Sequence, residues 1–86
     1  MLYDLHRDPC ISKALALIRV GSYEAAKEEL VAAYGKAYMF GNVFTGKRIL
    51  EAIVYLTWHV KKDRRIREYV YKQVYKTLFE RDPDSK

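Results

Sequence analysis

The stretch from Ile49 to Val60, ILEAIVYLTWHV, constrains the fold more than any other part of the chain. At about 100° per residue, with Ile53 at the middle, its apolar side chains run from Ala52 through Ile49, Val60, Thr57 and Leu50 to Val54. They cover more than half of a helix circumference. One polar seam remains, made of Lys47, Arg48, Glu51, Tyr55, His59 and Lys62, with Trp58 at its border. Such a helix is expected at the centre of a bundle, covered by its neighbours and wetted along the seam alone.

The rest of the chain supplies those neighbours. Met1 to Arg7 has no helical period and is expected to lie as an arm over the bundle. Asp8 followed by Pro9 reads as an N-cap and first helical residue, opening a helix to Val20 that buries Ile11, Ala14, Leu15 and Ile18. Gly21 ends it and Ser22 is expected to cap the next helix, Tyr23 to Phe40, where Glu24, Glu28 and Glu29 suit the positive end of the dipole. The main apolar stripe of that helix is Tyr23, Ala26, Leu30, Ala33, Tyr34, Ala37 and Tyr38. A second row, Ala25, Ala32, Gly35 and Met39, is small enough to admit another helix, although alanine also fills exposed helix positions well.

A linker from Gly41 to Thr45 leads into the third helix, with Thr45 as its cap. After Val60 the segment KKDRRIR reads as a tight turn, capped by Asp63, into a fourth helix from Arg64 to Glu80 that buries Ile66, Val70, Val74, Thr77 and Leu78. No Gly or Pro enforces that turn, so one continuous helix from Thr45 to Glu80, about 50 Å long, is the alternative. Asp82 to Lys86 is a frayed polar tail around Pro83. The expected fold is therefore all-α, a single domain of 86 residues forming a small antiparallel bundle of about four helices. A chain of this size buries only roughly 60–65% of its unfolded surface, so association would help it.

Within the second helix, Val20 to Tyr34, VGSYEAAKEELVAAY, resembles the second half of a tetratricopeptide helical hairpin. Gly21, Ala26 and Ala33 stand at the family's small-residue positions, and Tyr23 follows the turn. The preceding helix lacks the family's aromatic and leucine-glycine positions, no proline closes the unit and no second copy follows. The resemblance covers one hairpin and implies helix–turn–helix geometry in a protein-binding scaffold.

Charge separates the two halves of the chain. Residues 1–46 hold five basic and five acidic groups, whereas residues 47–86 hold eleven basic against six acidic, which is the whole net charge of +5. Such a field favours acidic partners: nucleic acid, an anionic surface or an acidic protein. The longest uncharged apolar run, Ala52 to Trp58, is far short of the ~20 residues that span a bilayer. A single cysteine, Cys10, and the lack of a basic-then-apolar leader point to a reducing cytoplasm. Asn42 and Gln73 are the only side-chain amides beside abundant Lys, Arg, Glu and Tyr, the bias of proteins from very hot environments.

Few residues offer chemistry. Asp4, His6, Asp8 and Cys10 alternate and would share one side of an extended chain, but paired Cys/His spacings are missing and Asp8 is better used as a cap, so no metal is expected. Gly41 to Arg48, GNVFTGKR, matches G-x-x-x-x-G-K and departs where Arg48 replaces the Ser or Thr that holds magnesium. A loop of that kind serves a parallel sheet, which an all-helical chain lacks. Lys47 and Arg48 remain weak anion-binding candidates, because cations in a first helical turn oppose the dipole unless a phosphate or a neighbouring carboxylate meets them. Glu51 and His59 lie too far apart along the seam to act as a pair, and Cys10 and Ser12 have no histidine at a telling spacing, so the chain is expected to be a non-enzyme without cofactor.

Two functions follow. The first is a basic helical protein that binds nucleic-acid phosphates without sequence preference through Lys61, Lys62, Arg64, Arg65, Arg67, Lys72 and Lys76, with Tyr75 or Phe79 stacking on bases. The second is an adaptor or small subunit of a larger assembly, its basic half meeting an acidic protein. In either case a homo-oligomer is expected, through the Ala25/Ala32/Gly35/Met39 row or the Tyr75/Phe79 patch.

Overall fold

The computed structural model describes residues 3–40, 43–58 and 66–83. They form four helices, α1 (Pro9–Arg19), α2 (Tyr23–Met39), α3 (Val43–Trp58) and α4 (Arg67–Phe79), with no strand among the described residues. Each helix packs on the next and α4 returns to α1, closing a ring in which neither diagonal pair of helix backbones meets. Lys13–Glu29 joins α1 to α2, Arg48–Glu80 ties the start of α3 to the end of α4, and Arg19–Glu68 ties the end of α1 to the start of α4. All neighbours are thus antiparallel. A continuous helix from Thr45 to Glu80 is excluded, because it would hold Arg48 and Glu80 some 48 Å apart at 1.5 Å per residue, whereas they lie within 3.0 Å. The expected turn at Lys61 to Arg65 lies outside the described residues.

The start and stop of α1 follow from its sequence. The Asp8 carboxylate accepts from the Cys10 backbone N–H at 2.9 Å and Pro9 takes the first helical position. At the other end Gly21, at φ 81°, donates to the Ile18 carbonyl while Ser22 donates to Leu17, the paired bonds of a Schellman turn. Ser22 then begins α2 with its backbone carbonyl, which accepts from Ala26, and its hydroxyl makes no cap bond, contrary to expectation.

Burial departs most from expectation in α3. That helix begins three residues early, so Thr45 is a buried residue inside it and not its cap, and GNVFTGKR is in large part helix and not a phosphate-cradling loop. Its dry face is Thr45, Gly46, Ile49, Ala52 and Leu56, turned by roughly 50° from the expected one. Ile53 is half-buried, and Leu50 and Val54 are exposed. The reason is that α3 has two neighbours, not a surrounding shell, and faces them with small residues that allow close approach: a methyl on Gly46 would sit 3.8 Å from the Tyr34 ring. The helix with the most extensive contacts is α2, whose Ala26, Leu30, Ala33 and Ala37 are fully buried between α1 and α3. Tyr38, expected in that stripe, is exposed. In α4, Val70, Val74 and Leu78 enter the core as expected.

The N-terminal arm does pack over the bundle. Leu5 joins the core, and the His6 ring lies 4.7 Å from that of Phe79.

Candidate interaction surface

The basic site expected on the C-terminal half is only partly assembled. Lys61, Lys62, Arg64 and Arg65 lie outside the described residues, as does His59. Arg67 is half-buried, with its Nε enclosed and unpartnered beneath the α1–α2 turn, where a Cβ on Gly21 would approach it to 3.0 Å. It supports the bundle end and does not project as a free phosphate contact. Lys72 and Lys76 are exposed on α4.

Tyr75 does not present an open stacking face. Its ring packs between Tyr71, at 6.0 Å, and Phe79, at 4.6 Å, and Phe79 is covered in turn by His6. These rings line the α1–α4 side beneath the arm, where Arg19 also caps Tyr71 at 4.0 Å. His6 of the arm and Arg19 of α1 thus cover part of the face that the sequence offered to bases or to a partner, where Tyr75 and Phe79 are half-buried and Lys72 and Lys76 exposed. The Ala25/Ala32/Gly35/Met39 row is solvent-facing apart from half-buried Ala25, and nothing stands within 4 Å of where a Gly35 side chain would begin.

The anion-binding pair resolves into two roles. Because α3 begins at Val43, both Lys47 and Arg48 lie beyond its first turn, where the dipole no longer opposes a cation, and Arg48 meets the Glu80 carboxylate at 3.0 Å. Glu80 can reach it because the chain turns there through a left-handed residue, φ 58°, that ends α4. Lys47 is exposed and stands at the junction of two grooves. The larger, about 430 Å³, runs between α3 and α4 and is walled by Leu50, Val54, Tyr55 and Thr77, with Lys47 and Glu51 on its rim. Burial, followed by the nearby Tyr69 and Tyr23, raises the pKa of Tyr55, which keeps it a neutral wall.

Beside these grooves lies the surface that the sequence reading missed. Val43, Leu50, Val54 and Trp58 form one outward row on α3, exposed by 79, 44, 43 and 77%. Phe44 flanks the row, and Tyr38, Met39 and Phe40 are likewise exposed at the end of α2. The signal was present, since 43, 47, 50, 54 and 58 repeat every three or four residues, but it merged with the wider apolar arc that was assigned to the core.

At the start of α1, Asp8 organises a polar clamp. Its carboxylate accepts from Tyr3 Oη at 2.7 Å and from Lys36 Nζ at 2.8 Å, and Lys36 also reaches Cys10 Sγ at 3.2 Å. Burial alone would raise the pKa of Asp8, but the hydrogen bonds from Lys36, Tyr3 and the Cys10 N–H outweigh it and hold the carboxyl below its ordinary value. The same contacts, Asp8 first and then Cys10, raise the pKa of Lys36; burial, then Asp8, raises that of Tyr3. The four alternating candidates do not share one side as they would in an extended chain. Residues 5–7 form a turn closed by Arg7 N–H on the Asp4 carbonyl, which leaves Asp4 and His6 exposed and Asp8 buried. Among the described residues no three such side chains gather in a way that could hold a metal.

Comparison with known proteins finds no matching family model, no similar curated protein and no similar solved structure.

Proposed function

We propose that this chain is a non-enzymatic protein-interaction module, a small helical adaptor or subunit whose working surface is the outward face of α3. The observation that carries the reading is the uncovered row of Val43, Leu50, Val54 and Trp58 beside an apolar groove. Isolated apolar residues are ordinary on a protein surface, whereas a contiguous row of this kind is where a partner docks. Trp58 is the residue type that most often dominates such contacts. The resemblance of Val20 to Tyr34 to a scaffold hairpin supports the same class. The proton affinities that are displaced support a structural use: those of Tyr3, Asp8 and Lys36 belong to the clamp and that of Tyr55 to a groove wall. A photo-cross-linking side chain placed at Val54 of the full chain, in its own cells, is expected to give protein adducts of defined mass, and the same group at exposed Ala16 none. Adducts to nucleic acid alone, or no adducts, would overturn the reading.

A second reading rests on the segregated charge. Residues 47–86 carry the net +5, and Lys72 and Lys76 are exposed on α4 in the same half as Lys61, Lys62, Arg64 and Arg65. That arrangement supports sequence-independent contact with phosphates. Four or five such contacts on duplex DNA give a slope of log K against log salt near −4, made shallower by up to about two on removing Arg64 and Arg65 together. No binding at about 50 mM salt would end this reading, since screening is weakest there.

A further inference from the structure

We infer that the α3 face takes a second copy of this chain, packed antiparallel about a two-fold axis that crosses α3 at the level of Ile49, midway between Lys47 and Glu51. The inference rests on the interaction-module reading and names its partner. Charge selects the arrangement. Only one charged residue, Lys47, interrupts the apolar row, and Glu51 stands one helical turn further along its edge. Two α3 helices packed parallel and in register would set Lys47 against Lys47. The antiparallel arrangement instead sets Lys47 of each copy against Glu51 of the other, twice across one axis, brings the two Leu50 side chains together, and lays Val54 of one copy over Phe44 of the other, with Trp58 beyond it at the start of the other α3.

The position of the face suits self-contact in a basic protein. Arg48 is already paired with Glu80, which leaves Lys47 and Glu51 to balance, so the face is close to neutral although its half of the chain carries +5. A partner chosen for its acidity would gain little there. A lipid surface would have to bury Glu51. Size agrees as well. Trp58 and Phe44 expose most of their rings, and aromatic side chains cover 150–250 Å² each, so with the three aliphatic residues the face offers on the order of 600 Å² per copy. An ordinary interface uses about 800 Å² per partner.

Trp58 is the only tryptophan and reports directly on the contact. Sedimentation equilibrium and Trp58 emission would be followed together from about 1 to 100 μM, with a dimer and a blue shift expected over the same range. Val54→Glu is expected to weaken the dimer at least ~30-fold while helicity and thermal unfolding of the monomer stay intact, because Val54 lies outside the core. Lys47→Glu and Glu51→Lys should each be monomeric, since each sets like charges together at both contacts. An equimolar mixture of the two should restore a one-to-one dimer, since both contacts then join opposite charges. A wild-type monomer at 100 μM, a dimer indifferent to these changes, or a mixture that stays monomeric would overturn the inference. If the wild-type chain is monomeric yet Val54 cross-links to a different protein, the module reading stands and the second copy is wrong; absence of any protein adduct removes both.

Discussion

Lys36 Nζ lies 2.8 Å from Asp8 Oδ1 and so fastens the last turn of α2 to the N-cap of α1. Asp8 is buried and serves three donors at once: Lys36, Tyr3 and the Cys10 N–H. Asp8→Ala should cost about 2–3 kcal/mol, combining a lost cap with a lost charge-assisted bond. Asp8→Asn keeps a capping oxygen and should cost less. Urea unfolding at neutral pH measures both.

The same clamp sets the pH dependence of stability. Asp8 has a depressed pKa in the folded chain, so its contribution is present above its ordinary value near 3.8 and is lost as pH falls below that toward the folded value. Lys36 is shifted upward from 10.5 and Tyr3 upward from 10.0, so their contributions are complete below pH 10 and are lost as pH rises beyond it. Stability should fall on both sides. In Asp8→Asn the acid limb should flatten and in Tyr3→Phe the alkaline limb, as read from thermal unfolding across pH.

Gly21 carries two demands at one position. Its φ of 81° disfavours any side chain, and a Cβ there would lie 3.0 Å from Arg67 Nε. Gly21→Ala should destabilise by about 1–2 kcal/mol. Adding Arg67→Ala should relieve the steric part and leave the conformational part, so the double variant tests which dominates.

The orientation of α3 makes a sharp mutational pattern. Ile49→Ala empties a fully buried site and should cost about 2–5 kcal/mol, with Ile53→Ala costing less because that side chain is half-buried. Leu50→Ser and Val54→Ser should be nearly neutral in a monomer. Equal losses at Ile49 and Val54 in dilute solution would show that both faces of the helix are covered.

Tyr75 should act on stability and not on nucleic acid. Its ring is packed between Tyr71 and Phe79, so Tyr75→Ala should lower the unfolding free energy by about 1–3 kcal/mol. Under conditions where the variant stays folded, any affinity for single strands should remain within a factor of two. A selective loss on single strands would restore the stacking role.

Local order was legible in the chain itself. The cap at Asp8-Pro9, the stop at Gly21, and the periodic burial of Ile11 to Ile18 and Val70 to Leu78 depend on residues within one or two turns of each other, so spacing and backbone preference specify them. The reversal between α1 and α2 followed from the same signals, whereas the separation of α3 from α4 was decided by the contact of Arg48 with Glu80. What spacing could not supply was the number of neighbours around each helix. The arc from Ala52 to Val54 is apolar whether one flank or both are covered. Only the ring of four helices shows that Ala52 and Ile49 face inward while Leu50, Val54 and Trp58 face out. Tyr75, Phe79 and Arg67 likewise looked available until the arm and the α1–α2 turn were placed over them. Burial is a property of what lies opposite a side chain, and contacts between Arg48 and Glu80, or Lys36 and Asp8, join residues that local periodicity cannot relate. The sequence by itself therefore determined the helical segments and the turn that ends α1, which depend on neighbours within a turn or two, and the tertiary structure alone decided where α3 begins, that it is separate from α4, and which apolar faces are covered.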